Sequence, residues 1–243
     1  MARANRYFTI GMHYHVTHRC HNGRFLLKFA RDRDMYRSMM RERLSKYAVK
    51  VLGYCITSNH IHAVVTAPNR HGLARFMQSL AGDFAQAYNI RKKRSGAFWG
   101  DRYHACQIEG GKHLWNCLKY VDMNMVRAGA VAQPSQWLWC GYQETAGLRK
   151  RYRLIDREAL MAALGDGMTM DAFKENYSVS MEETISAREF SREAMWSESL
   201  AVGSDRFVEE VGKSLKNRYR KEVIQSEQKK GTYILRERGL KYA

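Results

Sequence analysis

Acidic side chains are scarce in this 243-residue chain: 24 Asp and Glu stand against 41 Lys and Arg, a formal net charge of +17. Small domains usually carry a net charge of magnitude roughly 2–8. The excess therefore points to a polyanionic partner, most simply nucleic acid. Long apolar runs are absent, so no transmembrane helix and no membrane partner are expected. The N-terminus lacks the apolar core of a signal peptide. The five cysteines (Cys20, Cys55, Cys106, Cys117, Cys140) are odd in number and never spaced Cys-x-x-Cys. They read as reduced packing residues of a cytoplasmic protein. Prolines are limited to Pro68 and Pro134, and there is no internal repeat or low-complexity tract. What is present is a chain that is 45% hydrophobic, enough to bury a core as one large domain or one and a half.

The most informative stretch is Ser58-Asn59-His60-Ile61-His62-Ala63-Val64-Val65. Strand side chains alternate faces, so His60 and His62 point one way and Ile61 points into a core. Two imidazoles on one face, about 6–7 Å apart along the strand, can share a cation. An isolated His-x-His equally fits two half-exposed strand histidines with ordinary hydrogen bonds. A second stretch, residues 114–129, places Leu114, Cys117, Leu118, Val121 and Met125 at helical spacing, with Arg127 in the last turn and Gly129 as the stop. Tyr120 and Asn124, at i and i+4, share a face of that helix. A phenol and an amide brought to two histidines would make a nucleophile beside a metal site. Asp122 lies about 200° round the helix from Tyr120 and is not assigned to catalysis.

Taken in order, residues 10–17 read as a strand and 18–23 as a turn. A helix to about residue 47 follows, capped by Asp32 or Asp34, with Met35, Met39, Leu44 and Tyr47 inward. Residues 49–56 form a second strand. A turn at 57–59 returns the His-x-His strand antiparallel to it, and Pro68 ends that strand. Residues 73–92 are a helix with Leu73, Phe76, Met77, Leu80, Phe84, Ala87 and Tyr88 on its buried face. Arg91-Lys92-Lys93-Arg94 closes it. These charges either complement the helix C-terminus or contact phosphate. They lead into Phe98-Trp99-Gly100-Asp101-Arg102-Tyr103, where cationic and aromatic side chains together suit unpaired nucleotides. A fourth strand over 103–108 precedes the tyrosine helix. The order β-α-β-β-α-β-α is the split βαβ, ferredoxin-like (RRM-like) α+β pattern, an antiparallel sheet with helices on one face. It defines a domain of about residues 1–150.

After a basic link at 149–153 the character changes. Residues 154–220 are helical by pattern (156–164, 170–177, about 181–190 and 204–218, the last capped by Ser204), and 228–243 is a weakly patterned basic tail. Residues 151–243 are thus expected to be a helical, basic extension. It is either a cap on the first domain or a helix-turn-helix-like DNA-contacting unit.

His60-Ile61-His62 resembles the His-hydrophobic-His motif of the single-tyrosine HUH endonucleases. Residues 120–129 resemble the tyrosine helix of IS200-like transposases, most of all their REP-associated branch. Tyr14-His15-Val16-Thr17-His18-Arg19, residues 98–103, and Trp137-Leu138-Trp139-Cys140-Gly141-Tyr142 agree in order and spacing, so the resemblance covers about residues 5–147. Met125 stands where that family commonly has proline. Asn124 stands where related transposases have glutamine; its shorter reach leaves direct ligation and a bridging water both open. The resemblance implies the ferredoxin-like fold and a metal-dependent endonuclease and strand transferase. Tyr120 would be the nucleophile, forming a 5′-phosphotyrosine. His60, His62 and Asn124 would hold a divalent cation, Mg2+ or Mn2+. Single-stranded DNA bearing a palindromic hairpin would be the substrate, with Arg91, Lys92, Lys93, Arg94, Trp99, Arg102, Tyr103 and Arg127 as candidate DNA contacts. A cytoplasmic, nucleoid-associated protein, monomer or homodimer, is expected. A rolling-circle or conjugation initiator and a non-catalytic DNA-binding protein on the same sheet are the other readings.

Overall fold

The computed structural model describes residues 8–66, 69, 71–165, 167–188, 191–215, 221–227 and 229–237. The expected end of the His-x-His strand at Pro68, the expected helix ends near 190 and 218, and residues 238–243 of the basic tail lie outside them. The first half follows the expected order: β1 (His13–Arg19), α1 (Ala30–Tyr47), β2 (Lys50–Ile56), β3 (His60–Thr66), α2 (Gly72–Arg91), β4 (His104–Ile108) and α3 (Lys112–Asp122). β3 lies between β2 and β1 and is antiparallel to both. His62 is thereby placed opposite Cys55 on one side and Thr17 on the other.

Both faces of these strands are buried, and helices cover both. On one face, Tyr54 meets Arg37 of α1, and His18 stacks on Trp99, which lies beside Tyr36 of α1 and Phe84 of α2. α3 lies on the opposite face, where His15 and His62 meet Tyr120. The one-face arrangement read from the pattern therefore describes α1 and α2, while the tyrosine helix takes the histidine face. Gly53 of β2 makes room there, since a Cβ at this position would come within 2.5 Å of Leu118 Cδ2.

α1 departs from expectation. It begins after Phe29 without a side-chain cap, so both Asp32 and Asp34 lie inside the helix, Asp32 fully buried in an ion pair with Arg91 and Asp34 accepting from the Trp139 indole N–H. Its buried face is Asp32, Arg33, Tyr36, Arg37 and Met40, with Met35 and Met39 only partly covered. Arg33 donates to the carbonyls of Leu27 and Lys28, and Arg37 pairs with Glu144, so both buried guanidinium groups have hydrogen-bond partners. A search for apolar spacing passes over such residues.

The predicted face of α2 is buried except for the half-buried Ala87. The tyrosine helix is divided at Met123 into α3 and α4 (Asn124–Arg127), although Met123 N–H still bonds Lys119 O and Arg127 N–H still bonds Met123 O. It closes on Gly129 at φ +67°: Gly129 N–H bonds Val126 O and Ala130 N–H bonds Met125 O, a Schellman ending.

The remainder contains three helices where helices were expected, α6 (Arg157–Leu164), α7 (Met170–Ser186) and α9 (Asp205–Ser214), and two short ones that the pattern did not show, α5 (Tyr142–Thr145) and α8 (Met195–Glu198). α7 is one helix where the pattern suggested two. Ser204 caps α9 as predicted, its hydroxyl accepting from Phe207 N–H. The extension is not wholly helical, however. β5 (Ala201–Gly203), β6 (Lys221–Gln225) and β7 (Tyr233–Glu237) extend the sheet to the order β2-β3-β1-β4-β5-β7-β6. β5 runs parallel to β4 and antiparallel to β7. A three-residue strand is too short to show a period. β5 forms because the edge of β4 offers unpaired backbone groups: Gln107 N–H bonds Leu200 O and Glu109 N–H bonds Val202 O. No helix among the described residues is long and apolar enough to cross a membrane.

Candidate active site

The alternation of β3 turns both histidines to the α3 face, their ring centroids 4.7 Å apart, with Ile61 buried on the other side. Tyr120 arrives from α3, its ring edge-on to His62 at 6.0 Å between centroids. Asn124 follows one turn later, with Nδ2 2.8 Å from His62 Nε2. The four residues read as one site from sequence are therefore gathered in one place.

Each imidazole is held by its Nδ1. His60 Nδ1 lies 2.7 Å from Asn59 Oδ1 and 3.0 Å from Thr57 Oγ1. Asn59 donates its own amide N–H to Gly23 O, so its oxygen faces the ring and accepts. His62 Nδ1 lies 2.9 Å from Nε2 of a third histidine, His15, whose Nδ1 lies 2.8 Å from Trp196 O. Both Nδ1 atoms are thus met by protein groups, which leaves the lone pairs on Nε2, that of His62 taken up by the Asn124 amide. Metal-binding histidines are typically arranged this way. Among the described residues no group of three or more His, Cys, Asp or Glu could hold a metal ion. A cation here would rely on the two imidazoles plus the Asn124 amide, a donor set that suits Mn2+ better than the oxygen-seeking Mg2+.

Burial dominates the electrostatics. It lowers His60 to about 3 and His15 to about 4, with neighbouring cationic groups adding to the effect, and holds His62 well below its ordinary range. The rings are neutral at physiological pH and keep their lone pairs. Burial raises the Tyr120 phenol, and Arg127 opposes that rise, its guanidinium carbon 4.2 Å from the ring centroid.

The candidate DNA contacts are less uniform. Arg91 is paired with Asp32 and lies over Tyr88. Arg94 ties its loop through Asn89 Oδ1 and Ala97 O. Lys92 and Lys93 are exposed, Lys92 over the exposed ring of Phe29. Trp99 stacks on His18 at 4.0 Å and donates to Ala81 O, and Tyr103 is buried, whereas Arg102 is exposed. The loop carrying them is bonded to the end of β1 through Gly100 N–H and Arg19 O, and Arg19 pairs in register with His60. Arg127 sits at the tyrosine itself.

Sequence reading missed His15 and Trp196 as parts of the site. A signal for the first was present: His13-Tyr14-His15 is a second His-x-His on the adjacent strand. Trp196 gave none. Asp122, excluded from catalysis, accepts from Tyr177 OH and Cys140 Sγ and anchors the end of α3.

Residues 8–124 match the family described as transposase, IS200-like. No curated protein matches the chain. A solved REP-associated tyrosine transposase bound to a REP hairpin superposes with a TM-score of 0.53 at 18% identity, covering 70% of this chain and 99% of that one. A protein of Deinococcus radiodurans R1 provisionally named a transposase gives 0.34 at 15%, covering 42% and 83%. The chain shares the fold of the REP-associated transposase, and its residues 8–124 are similar to the IS200-like transposase family.

Proposed function

We propose that this chain is a transposase, a divalent-metal-dependent endonuclease and strand transferase acting on single-stranded DNA that carries a palindromic hairpin. The convergence of Tyr120 with His60, His62 and Asn124 supports the reading most directly. His60 and His62 would hold the cation through Nε2, and Asn124, whose amide N–H meets His62 Nε2 in the structure, would turn to offer its oxygen instead. When bound, the cation polarises the scissile phosphate and offsets charge developing there. Mg2+ and Mn2+ are both expected to support cleavage.

A phenol with an ordinary pKa near 10 is a weak nucleophile at neutral pH, and burial of Tyr120 weakens it further. Arg127 favours the phenolate. Tyr120 Oη forms a bond to phosphorus while the bond from phosphorus to the 3′ oxygen breaks. The phenolic proton is lost and the leaving oxygen gains one, giving a 5′-phosphotyrosine and a free 3′-hydroxyl. A second 3′-hydroxyl can reverse the step and join strands without ATP. The REP hairpin held by the structural neighbour supports a hairpin substrate. Lys92, Lys93 and Arg102 are the exposed candidates for phosphate contact, working beside the nucleoid in the cytoplasm.

Incubating the purified chain with a labelled hairpin oligonucleotide and Mn2+ should give a protein–DNA adduct that survives denaturant. Tyr120→Phe should abolish the adduct, a loss on the order of 10⁴-fold or more for a nucleophile, while hairpin binding persists. Undiminished cleavage by that variant would remove the nucleophile assignment.

A further inference from the structure

His15 is fully buried and lies outside the set of residues that would touch cation or DNA. It occupies the middle of a chain of hydrogen bonds whose direction can be worked out. A main-chain carbonyl only accepts, so the hydrogen between His15 Nδ1 and Trp196 O, 2.8 Å apart, belongs to His15. A neutral imidazole has one N–H, so His15 Nε2 carries a lone pair. The hydrogen in the 2.9 Å contact between His15 Nε2 and His62 Nδ1 therefore belongs to His62. His62 Nε2 is then the lone-pair nitrogen, and the Asn124 amide donates to it over 2.8 Å. Which nitrogen of a histidine is protonated is set by the hydrogen bond the other makes. The free side chain in water prefers its proton on Nε2, the wrong nitrogen for this site.

We propose that His15 is a positioning residue of the metal site: held by the Trp196 carbonyl, it locks His62 as the tautomer whose Nε2 faces the cation. This rests on the proposed cation site. It also assigns work to the C-terminal extension. Trp196 lies in α8, beyond the matched residues 8–124, and the link from His15 spans 181 positions. Glu193 and Lys229 steady Trp196: its indole N–H donates to Glu193 Oε2 at 2.9 Å, and Lys229 pairs with the same carboxylate at 2.8 Å.

Two measurements on the full chain without DNA test the proposal. In the metal-free wild type, long-range proton–nitrogen NMR correlations should place the His62 proton on Nδ1; finding it on Nε2 would overturn the relay without any variant. In Mn2+ titrations followed by electron paramagnetic resonance, His15→Phe should weaken binding by roughly 10–100-fold, as for other supporting partners of metal-bound histidine. His15→Gln, whose amide can donate to Trp196 O and accept from His62, should recover most of that loss. Hairpin binding in EDTA should be the same for all three proteins. If His15→Phe binds Mn2+ as wild type does while His62→Ala does not, the cation site stands and the relay falls. If the wild type binds no Mn2+, the cation site and the relay fall together.

Discussion

His60 and His62 stand two residues apart on one strand and face, yet they are supported in opposite ways. Thr57 and Asn59, within three positions, orient His60. His62 depends on His15 and Asn124, 47 and 62 positions away, and through His15 on a carbonyl from α8. His60 is half-buried, whereas His62 is buried between β3 and α3. One ligand of the proposed pair is thus built by its own turn and the other by the assembled fold. Disturbing remote parts of the molecule should therefore affect His62 first.

The largest contrast is expected between His62→Ala and His60→Ala. Both should lose metal-dependent cleavage of a hairpin oligonucleotide. Only His62→Ala leaves buried groups of His15 and Asn124 without partners, so urea unfolding should show it less stable than His60→Ala by about 1–3 kcal/mol. Equal stabilities would mean that His62 is no more deeply integrated than its neighbour.

A smaller effect should follow from weakening the local support. Asn59→Ala removes one of two acceptors of the His60 N–H, but Thr57 Oγ1 remains at 3.0 Å. Its Mn2+ affinity should fall by no more than about tenfold, the mild end for supporting partners. A loss as deep as that of His15→Phe would erase the distinction between the two histidines.

The gentlest probe is pH. Stability rises with pH wherever the unfolded chain binds more protons than the folded one. Burial sets His15 at about 4 and His60 at about 3, against 6.5 for the free side chain. As pH falls from 6.5 toward 4, the unfolded chain takes up protons that the folded chain refuses, so stability should drop, by at most about 1.4 kcal/mol per unit for each group. Asp122, raised to about 6 by burial, acts in the opposite sense between about 4 and 6 and offsets part of the slope. Urea midpoints in EDTA at pH 7, 6 and 5 would record the net decline. A flat or rising profile from pH 7 to 5 would contradict the neutral, buried state of these rings.

Legibility followed the same division. The faces of α2 and α3, the hairpin at 57–59, the Gly129 ending and the Ser204 cap could be read because each depends on residues within a turn or two of one another. The buried face of α1 was read only in part because Arg33 and Arg37 are inside, Arg33 held by the carbonyls of Leu27 and Lys28 and Arg37 by Glu144, whose position the chain order does not reveal. β5 was missed because its pairing is supplied by the edge of β4 rather than by any period of its own.

By itself the sequence determined the basic surface, the split βαβ order, and the facing of His60, His62, Tyr120 and Asn124, all consequences of composition and of the fixed periods of strand and helix. Only the tertiary structure decided that α3 lies on the face opposite α1 and α2, that the last third of the chain extends the sheet, and that a carbonyl of α8 reaches the histidines through His15. Such contacts join residues with no periodic relation along the chain. They exist because burying both faces of one sheet, with its backbone groups paired, leaves each segment a particular place to pack.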